Sequence, residues 1–232
     1  MKSIHSNLAQ LRLQIRDIAV RAGRAPEDIR LVAVSKTRTL EEVEQAIAAG
    51  QKDFGENTMQ DALTKIPALH ATDAVWHFIG HLQSKKAKQI PGHFGWVHSV
   101  DSLKLAQKLS AAMSGLSLPQ PLNCLIQVNV SKDPSKSGLD TEKVAPFIDQ
   151  LLELDLPRLN WRGLMTIGVQ GDETRTRIAF AALRGMLERC QQTFSLTHFD
   201  QLSMGMSNDY PIAIEEGSTI VRIGTAIFGE RA

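Results

Sequence analysis

The sequence predicts a (β/α)8 barrel of the TIM type, and three observations carry that expectation. Short apolar runs and segments of helical periodicity alternate along nearly all of the 232 residues. About eight such β-then-α units are present, and alternating units make a parallel sheet that eight of them can close. No linker, low-complexity tract or composition shift divides the chain, so a single α/β domain over residues 1–232 is expected. The rival arrangement is an open doubly wound sheet.

The elements follow in order. Leu8, Leu11, Ile15 and Ile18 recur at helical spacing, so residues 1–23 read as an extra amino-terminal helix that packs on the barrel and ends near Gly23. The strand runs are Leu31–Ser35, Lys52–Gly55, Trp76–Ile79, Trp96–Ser99, Cys124–Val130, Leu159–Thr166, Gln201–Ser203 and Ile220–Ile223. Between them "LEEVEQAIAAG", "NTMQDALTKI", "SKKAKQI", "DSLKLAQKLSAAM", "TEKVAPFIDQLLEL", "ETRTRIAFAALRGMLERC" and "DYPIAIEEG" suit helices. The Pro-containing "SGLSLPQPLN" reads as a loop ahead of the fifth strand.

Composition narrows the class of function. With 43% hydrophobic and 22% charged residues the chain has the make-up of an ordinary soluble globular protein. A formal net charge of +1 gives no reason to expect nucleic acid or a membrane surface as partner. Cys124 and Cys190 stand far apart in apolar surroundings and read as packed, reduced thiols. No apolar run approaches the length of about 18 residues that spans a bilayer. The opening "MKSIHSNLAQLRLQIRD" is polar and helical in pattern, unlike a secretory signal, so a cytoplasmic home is expected.

The barrel gives the stretch "LVAVSKT" its interest. Chemistry in such barrels gathers at the carboxyl ends of the strands. Lys36 stands there as the last residue of the first strand, sharing a face with Val34 and Val32. Two readings are open: a solvated strand-end lysine, or an amine directed into the mouth over apolar side chains. Partial desolvation would leave some of that amine neutral, and a neutral amine forms a Schiff base with a carbonyl.

The far end of the chain favours the second reading. The loops after the seventh and eighth strands often form a phosphate site in barrels. "MGMSND" offers a flexible Gly205 and then Ser207, a good N-cap for the helix that follows; "RIGTAIFG" sets Gly224 beside Thr225. Such loops supply N–H and O–H donors with little bulk, as a phosphate monoester requires. Arg222 lies inside an apolar strand and needs a partner, because an unpaired buried charge is costly. Glu56 is one candidate; the nitrogen of a heteroaromatic ring held between Lys36 and the phosphate loops is the other. An amine, a ring-nitrogen donor and a phosphate cup are what pyridoxal phosphate needs.

"LVAVSKT", "FGEN", "WHFIGHLQSKK", "SKSG", "GLM", "LSMGMSND" and "GSTIVRIGTAIFG" run in that order from Leu31 to Gly229. Together they resemble the signature segments of the YggS/PROSC family of pyridoxal phosphate homeostasis proteins, over nearly the whole chain. The resemblance implies a fold-type-III barrel like that of alanine racemase, without the extra β domain of such enzymes. By match of motif, Lys36 would carry the Schiff base, and Ser207, Gly224 and Thr225 would hold the phosphate. Arg222 would face the pyridine nitrogen and Asn57 of "FGEN" would lie near the ring. Family members often read "LQSNK", whereas this chain has Lys85 at the asparagine. Lys85, Lys86 and Lys88 then read either as a solvated helix face or as a secondary phosphate or cofactor-transfer site, and Lys136 of "SKSG" has the same two readings.

Other constellations fall short. His77 and His81 stand four apart but have no cysteine or glutamate in register to complete a zinc set. No G-x-G-x-x-G, Walker A or G-x-S-x-G motif is present. Glu215 and Glu216 read as solvated. A pyridoxal phosphate enzyme also needs acid–base groups on the substrate faces. In fold-type-III enzymes resembling this barrel the second such residue comes from the β domain. The resemblance therefore implies an intracellular carrier, with no efficient turnover of its own, that buffers the cofactor and passes it transiently to apo-enzymes, as a monomer. An amino-acid racemase, lyase or decarboxylase is the alternative.

Overall fold

The computed structural model describes residues 3–116 and 120–230 and closes eight parallel strands into a barrel in chain order. The strands are β1 Arg30–Val34, β2 Asp53–Glu56, β3 Val75–Phe78, β4 Trp96–Val100, β5 Leu122–Gln127, β6 Leu159–Met165, β7 Gln201–Ser203 and β8 Ile220–Ile223. The closing seam pairs β8 with β1 in parallel, with Val32 beside Arg222. Expected and observed strands agree within a few residues, and for the last two they coincide. Closure excludes the open doubly wound sheet.

Helices α1 Ile4–Arg21, α2 Leu40–Ala48, α3 Met59–Ala62, α4 Leu103–Ser114, α5 Val144–Glu153, α6 Glu173–Phe194, α7 Tyr210–Glu215 and α8 Thr225–Phe228 surround the strands. Local chemistry starts several of them. Thr39 and Glu42 form a capping box at α2, and the Ser102 hydroxyl and Asp172 carboxylate cap α4 and α6. The segment "NTMQDALTKI" yields only the short α3, and the 3-10 turn Ile66–Leu69 follows. "SKKAKQI" forms a 3-10 helix, Ser84–Gln89, rather than an α-helix. Residues 117–119 of the loop expected before the fifth strand lie outside the described residues.

Helix α1 packs against α2, α7 and α8, so it covers the ring beside the closing seam. Its buried stripe is Leu8, Leu11, Ile15 and Ile18, each aliphatic side chain contributing about 1.5–3 kcal/mol of burial. Alternation along the strands separates two apolar clusters. Ala33, Phe54, Val97, Cys124, Leu164, Val221 and Ile223 point outward into the helix layer. Val32, Trp96, Leu125, Met165 and Ile220 fill the barrel interior. Both cysteines are buried and free. Among the described residues, no helix is long and apolar enough to cross a membrane.

Candidate functional site

A cavity of about 670 Å³ opens at the carboxyl ends of the strands, within the usual range for small-molecule sites. Lys36, Asn57, Ser207, Arg222, Gly224 and Thr225 all line it. Six residues spread over 190 positions of sequence are thus brought to one cavity as the barrel closes. Lys136 and Asp209 join them; Lys85, Lys86 and Lys88 do not, and are exposed.

Lys36 stands two residues beyond β1, not on its last position as expected. The ladder ends with the Ser35 N–H donating to the Gly55 carbonyl, after which the chain turns. Thr37 adopts φ 62°, a left-handed conformation that costs a residue with a Cβ about 1–2 kcal/mol. Its N–H donates to Asp61 Oδ2 at 2.6 Å. On the other side, the Ser35 carbonyl accepts from Arg38 N–H at 3.0 Å and from Lys65 Nζ at 2.8 Å. Lys36 therefore rides on a backbone gripped at both neighbouring residues.

The grip depends on a cluster that the sequence reading missed. Lys65 is 1% exposed and also reaches Glu56 Oε1 at 2.8 Å and Asp61 Oδ1 at 2.9 Å. Burial pushes the Glu56 carboxyl up to about 7, against the hydrogen bonds from Lys65 and Ser35 that pull it down. Glu56 points to the outer side of β2 and pairs with Lys65, so it is not the partner of Arg222. No spacing rule flags Lys65: a lysine in "NTMQDALTKI" reads as solvated until α3 folds it back onto the strand.

Arg222 is buried, and its partners lie within the barrel. Its NH1 donates to Ser203 Oγ at 2.6 Å and its NH2 to the Thr166 carbonyl at 3.0 Å. Burial lowers its pKa to about 10, opposed by the charge of Asp209, which leaves the guanidinium protonated at neutral pH. Below it a file of polar groups crosses the interior. Ser203 Oγ lies 2.8 Å from His98 Nδ1, His98 Nε2 lies 2.9 Å from His77 Nδ1, and His77 Nε2 lies 3.0 Å from Asp53 Oδ1. Burial lowers the pKa of both histidines, His98 more strongly, so both rings are neutral. His77 thus belongs to the barrel interior, while His81 is exposed on the rim.

The two loops expected to meet do meet, with one change in local structure. The N-cap of α7 is Asp209, not Ser207; its carboxylate accepts from the Met206 N–H and draws the loop into a tight turn. Ser207 is left free of cap duty and faces the cavity. Burial raises the Asp209 carboxyl, with the Met206 N–H and the Arg222 charge pulling the other way. At β8 a Cβ on Gly224 would come within 3.1 Å of the Val34 carbonyl, so glycine lets this turn close against β1. Thr225, the next residue, lines the same cavity as Lys36. Gly80 is tighter still, since a Cβ there would meet the Asn57 carbonyl at 2.0 Å.

The remaining candidates fall into place. Lys136 Nζ donates to the Gly168 carbonyl at 2.8 Å, tying the loop after β5 to the loop after β6 at the cavity wall. Glu215 and Glu216, expected to be solvated, pair with Arg177, and Glu216 also with Arg184. Tyr210, the one tyrosine in the sequence, donates its hydroxyl to Gln14 of α1 and lies outside the cavity lining.

Comparison with known proteins bears on this geometry. A family model described as the alanine racemase N-terminal domain matches residues 6–232. The chain is 46% identical over 232 residues to the pyridoxal phosphate homeostasis protein of Pseudomonas aeruginosa, covering 100% of this chain and 97% of that relative. It is 43% identical over 242 residues to the protein of the same name from Escherichia coli K12, covering 100% and 98%. The solved structure of PipY from Synechococcus elongatus with pyridoxal phosphate bound superposes with a TM-score of 0.85 at 36% identity, over 98% of this chain and 100% of that one.

Proposed function

We propose, for a chain that belongs to the family of pyridoxal phosphate homeostasis proteins, that its cavity holds pyridoxal 5'-phosphate and that the protein buffers and delivers that cofactor. The observation that carries this reading is convergence. An amine, a buried guanidinium and two hydroxyl-bearing loops line one cavity of suitable size. The donor set fits the cofactor. Ser207, Thr225 and the backbone at Gly224 hold the phosphate, because they offer neutral donors without bulk. Arg222 directs an N–H at the pyridine nitrogen, and Asn57 lines the ring's side. Lys36 condenses its amine with the cofactor's aldehyde carbon, releasing water and leaving a Schiff base.

The carrier role rests on what faces the cavity. Bound pyridoxal phosphate supplies an electron sink, and a guanidinium at the ring nitrogen keeps that nitrogen unprotonated and the sink weak. Turnover of amino acids would require a second acid–base group positioned on the substrate; of those lining the cavity, Asp209 accepts from the Met206 N–H and Lys136 donates to the Gly168 carbonyl. Tyr210 is committed to Gln14. The reading extends to a single domain, to a monomer in the cytoplasm, and to transient contact with apo-enzymes as recipients.

Borohydride reduction of the loaded protein, followed by peptide mass spectrometry, tests the assignment. The pyridoxyl group is expected on Lys36 and absent from Lys36→Ala. A label on another lysine, or none, overturns it. Solvent proton exchange at the α-carbon of a panel of amino acids separates carrier from enzyme: rapid exchange that disappears with Lys36 would establish the racemase-type alternative.

A further inference from the structure

The file of polar side chains beneath Arg222 has a direction that its Asp53 end dictates and its Arg222 end accommodates. Arginine can only donate, so Ser203 Oγ must accept from Arg222 NH1. The single hydroxyl proton of Ser203 is then free for His98 Nδ1, 2.8 Å away. At the other end the Asp53 carboxyl is held below its usual range, with bonds from His77 and Arg30 outweighing its burial. A carboxylate can only accept, so the His77 proton sits on Nε2. His77 is neutral, hence its Nδ1 accepts from His98 Nε2–H, and His98 Nδ1 in turn accepts from Ser203. The Arg222 end is compatible with the same tautomers, since Ser203 Oγ accepts from Arg222 and still has a proton to give His98 Nδ1. Each donor and acceptor in the file is used once, and every dipole points from Arg222 toward Asp53.

We propose that Asp53, His77, His98 and Ser203 are positioning residues that lock the Arg222 guanidinium, through a one-way chain of hydrogen bonds spanning the barrel, in the orientation that offers its remaining N–H groups to the cavity. The inference rests on the reading that a pyridine ring occupies the cavity at Arg222. Two features make the chain effective. Thr166 carbonyl fixes NH2 while Ser203 fixes NH1, so the plane of the guanidinium has no rotational freedom. His77 is held in turn by stacking on Trp96, with ring centroids 5.4 Å apart and planes 9° from parallel. Bonds aligned in series also polarise one another in a low-dielectric interior, which strengthens the hold on the terminal cation.

Two measurements test the proposal. In the cofactor-free protein, nitrogen-15 NMR at neutral pH should show His77 and His98 both as neutral Nε2–H tautomers with slowly exchanging ring protons. An Nδ1–H tautomer at either ring overturns the chain. In the cofactor-loaded protein, Ser203→Ala should weaken cofactor binding about five- to tenfold, the size of one ordinary hydrogen bond, and shift the visible absorption band. Ser203→Thr, which keeps the hydroxyl, should restore both. Asp53→Asn, whose amide can accept or donate, should shift the band in the same sense by less, and it covers the case in which Ser203→Ala does not fold. The borohydride-trapped label should stay on Lys36 throughout. A parent protein that binds and labels normally while Ser203→Ala leaves affinity within twofold and the band unmoved overturns this proposal alone. A parent that takes up no pyridoxal phosphate removes the underlying reading, and the proposal with it.

Discussion

On the outward face of the strands, Phe54, Val97, Cys124, Leu164 and Ile223 meet helices, and the ionic cluster of Lys65, Glu56 and Asp61 is walled in behind Lys36. On the inward face the apolar layer is five residues, and beside it Asp53, His77, His98, Ser203 and Arg222 run in file. Both faces bury charge, yet they do so differently. Outside, one cation is caged by two carboxylates and a carbonyl. Inside, a cation and an anion at opposite ends are joined by neutral groups that pass the interaction along. The cage anchors backbone, and its failure should appear as lost stability. The file orients a side chain toward the cavity, and its failure should appear in what the cavity binds.

Lys65→Met is the strongest way to break that contrast. It leaves the Glu56 carboxyl and Ser35 carbonyl without their cation, and breaking a buried pair costs about 3–5 kcal/mol. A fall of that size in the urea unfolding free energy is expected; a change under about 1 kcal/mol would show that the cage is dispensable. On the cavity side, Thr225→Val and Ser207→Ala should each weaken pyridoxal phosphate binding by about 1.5–3 kcal/mol, read by titration, while the unfolding midpoint stays put. If both variants bind as tightly as the parent, the phosphate assignment is wrong.

Acid–base behaviour sharpens the comparison further. The Glu56 carboxyl is raised from an ordinary 4.5 to about 7, so the folded protein retains a proton that the unfolded chain releases. Its contribution to stability is fully present below about 4.5 and is lost as pH rises through 7. Relative to Glu56→Gln, parent stability should therefore decline across that window, as followed by thermal unfolding at a series of pH values. A parallel pair of curves would place the titration elsewhere. The smallest effect on the fold belongs to Lys36→Ala, expected to change stability by less than about 1 kcal/mol although the covalent label disappears. A large loss of stability there would mean that Lys36 serves the cage rather than the cavity.

Much of the site is legible in the sequence. Gln201–Ser203 and Ile220–Ile223 were bounded by their apolar runs, and the loops behind them carry short-range signals in glycine and hydroxyl residues. Patterning carries the first strand on to Lys36, two residues past its end, because it does not register where Asp61 and Lys65 seize the backbone and turn it. Serine and aspartate are both good caps, so the sequence points to Ser207 for α7, and only the loop's path selects Asp209. Spacing sets His77 beside His81, its neighbour in sequence, while its partner His98 lies 21 residues away on the next strand.

Periodicity of apolar residues is a property of neighbours two to four positions apart, so the order of strands and helices, and hence the barrel class, was written into the chain itself. The pairing of Lys65 with Glu56, the file from Asp53 to Arg222 and the donation from Arg222 to the Thr166 carbonyl depend on which strands become adjacent when the sheet closes. Those contacts join groups far apart in sequence across distances of about 3 Å, a range over which hydrogen bonds and buried charges act and linear patterns carry no information.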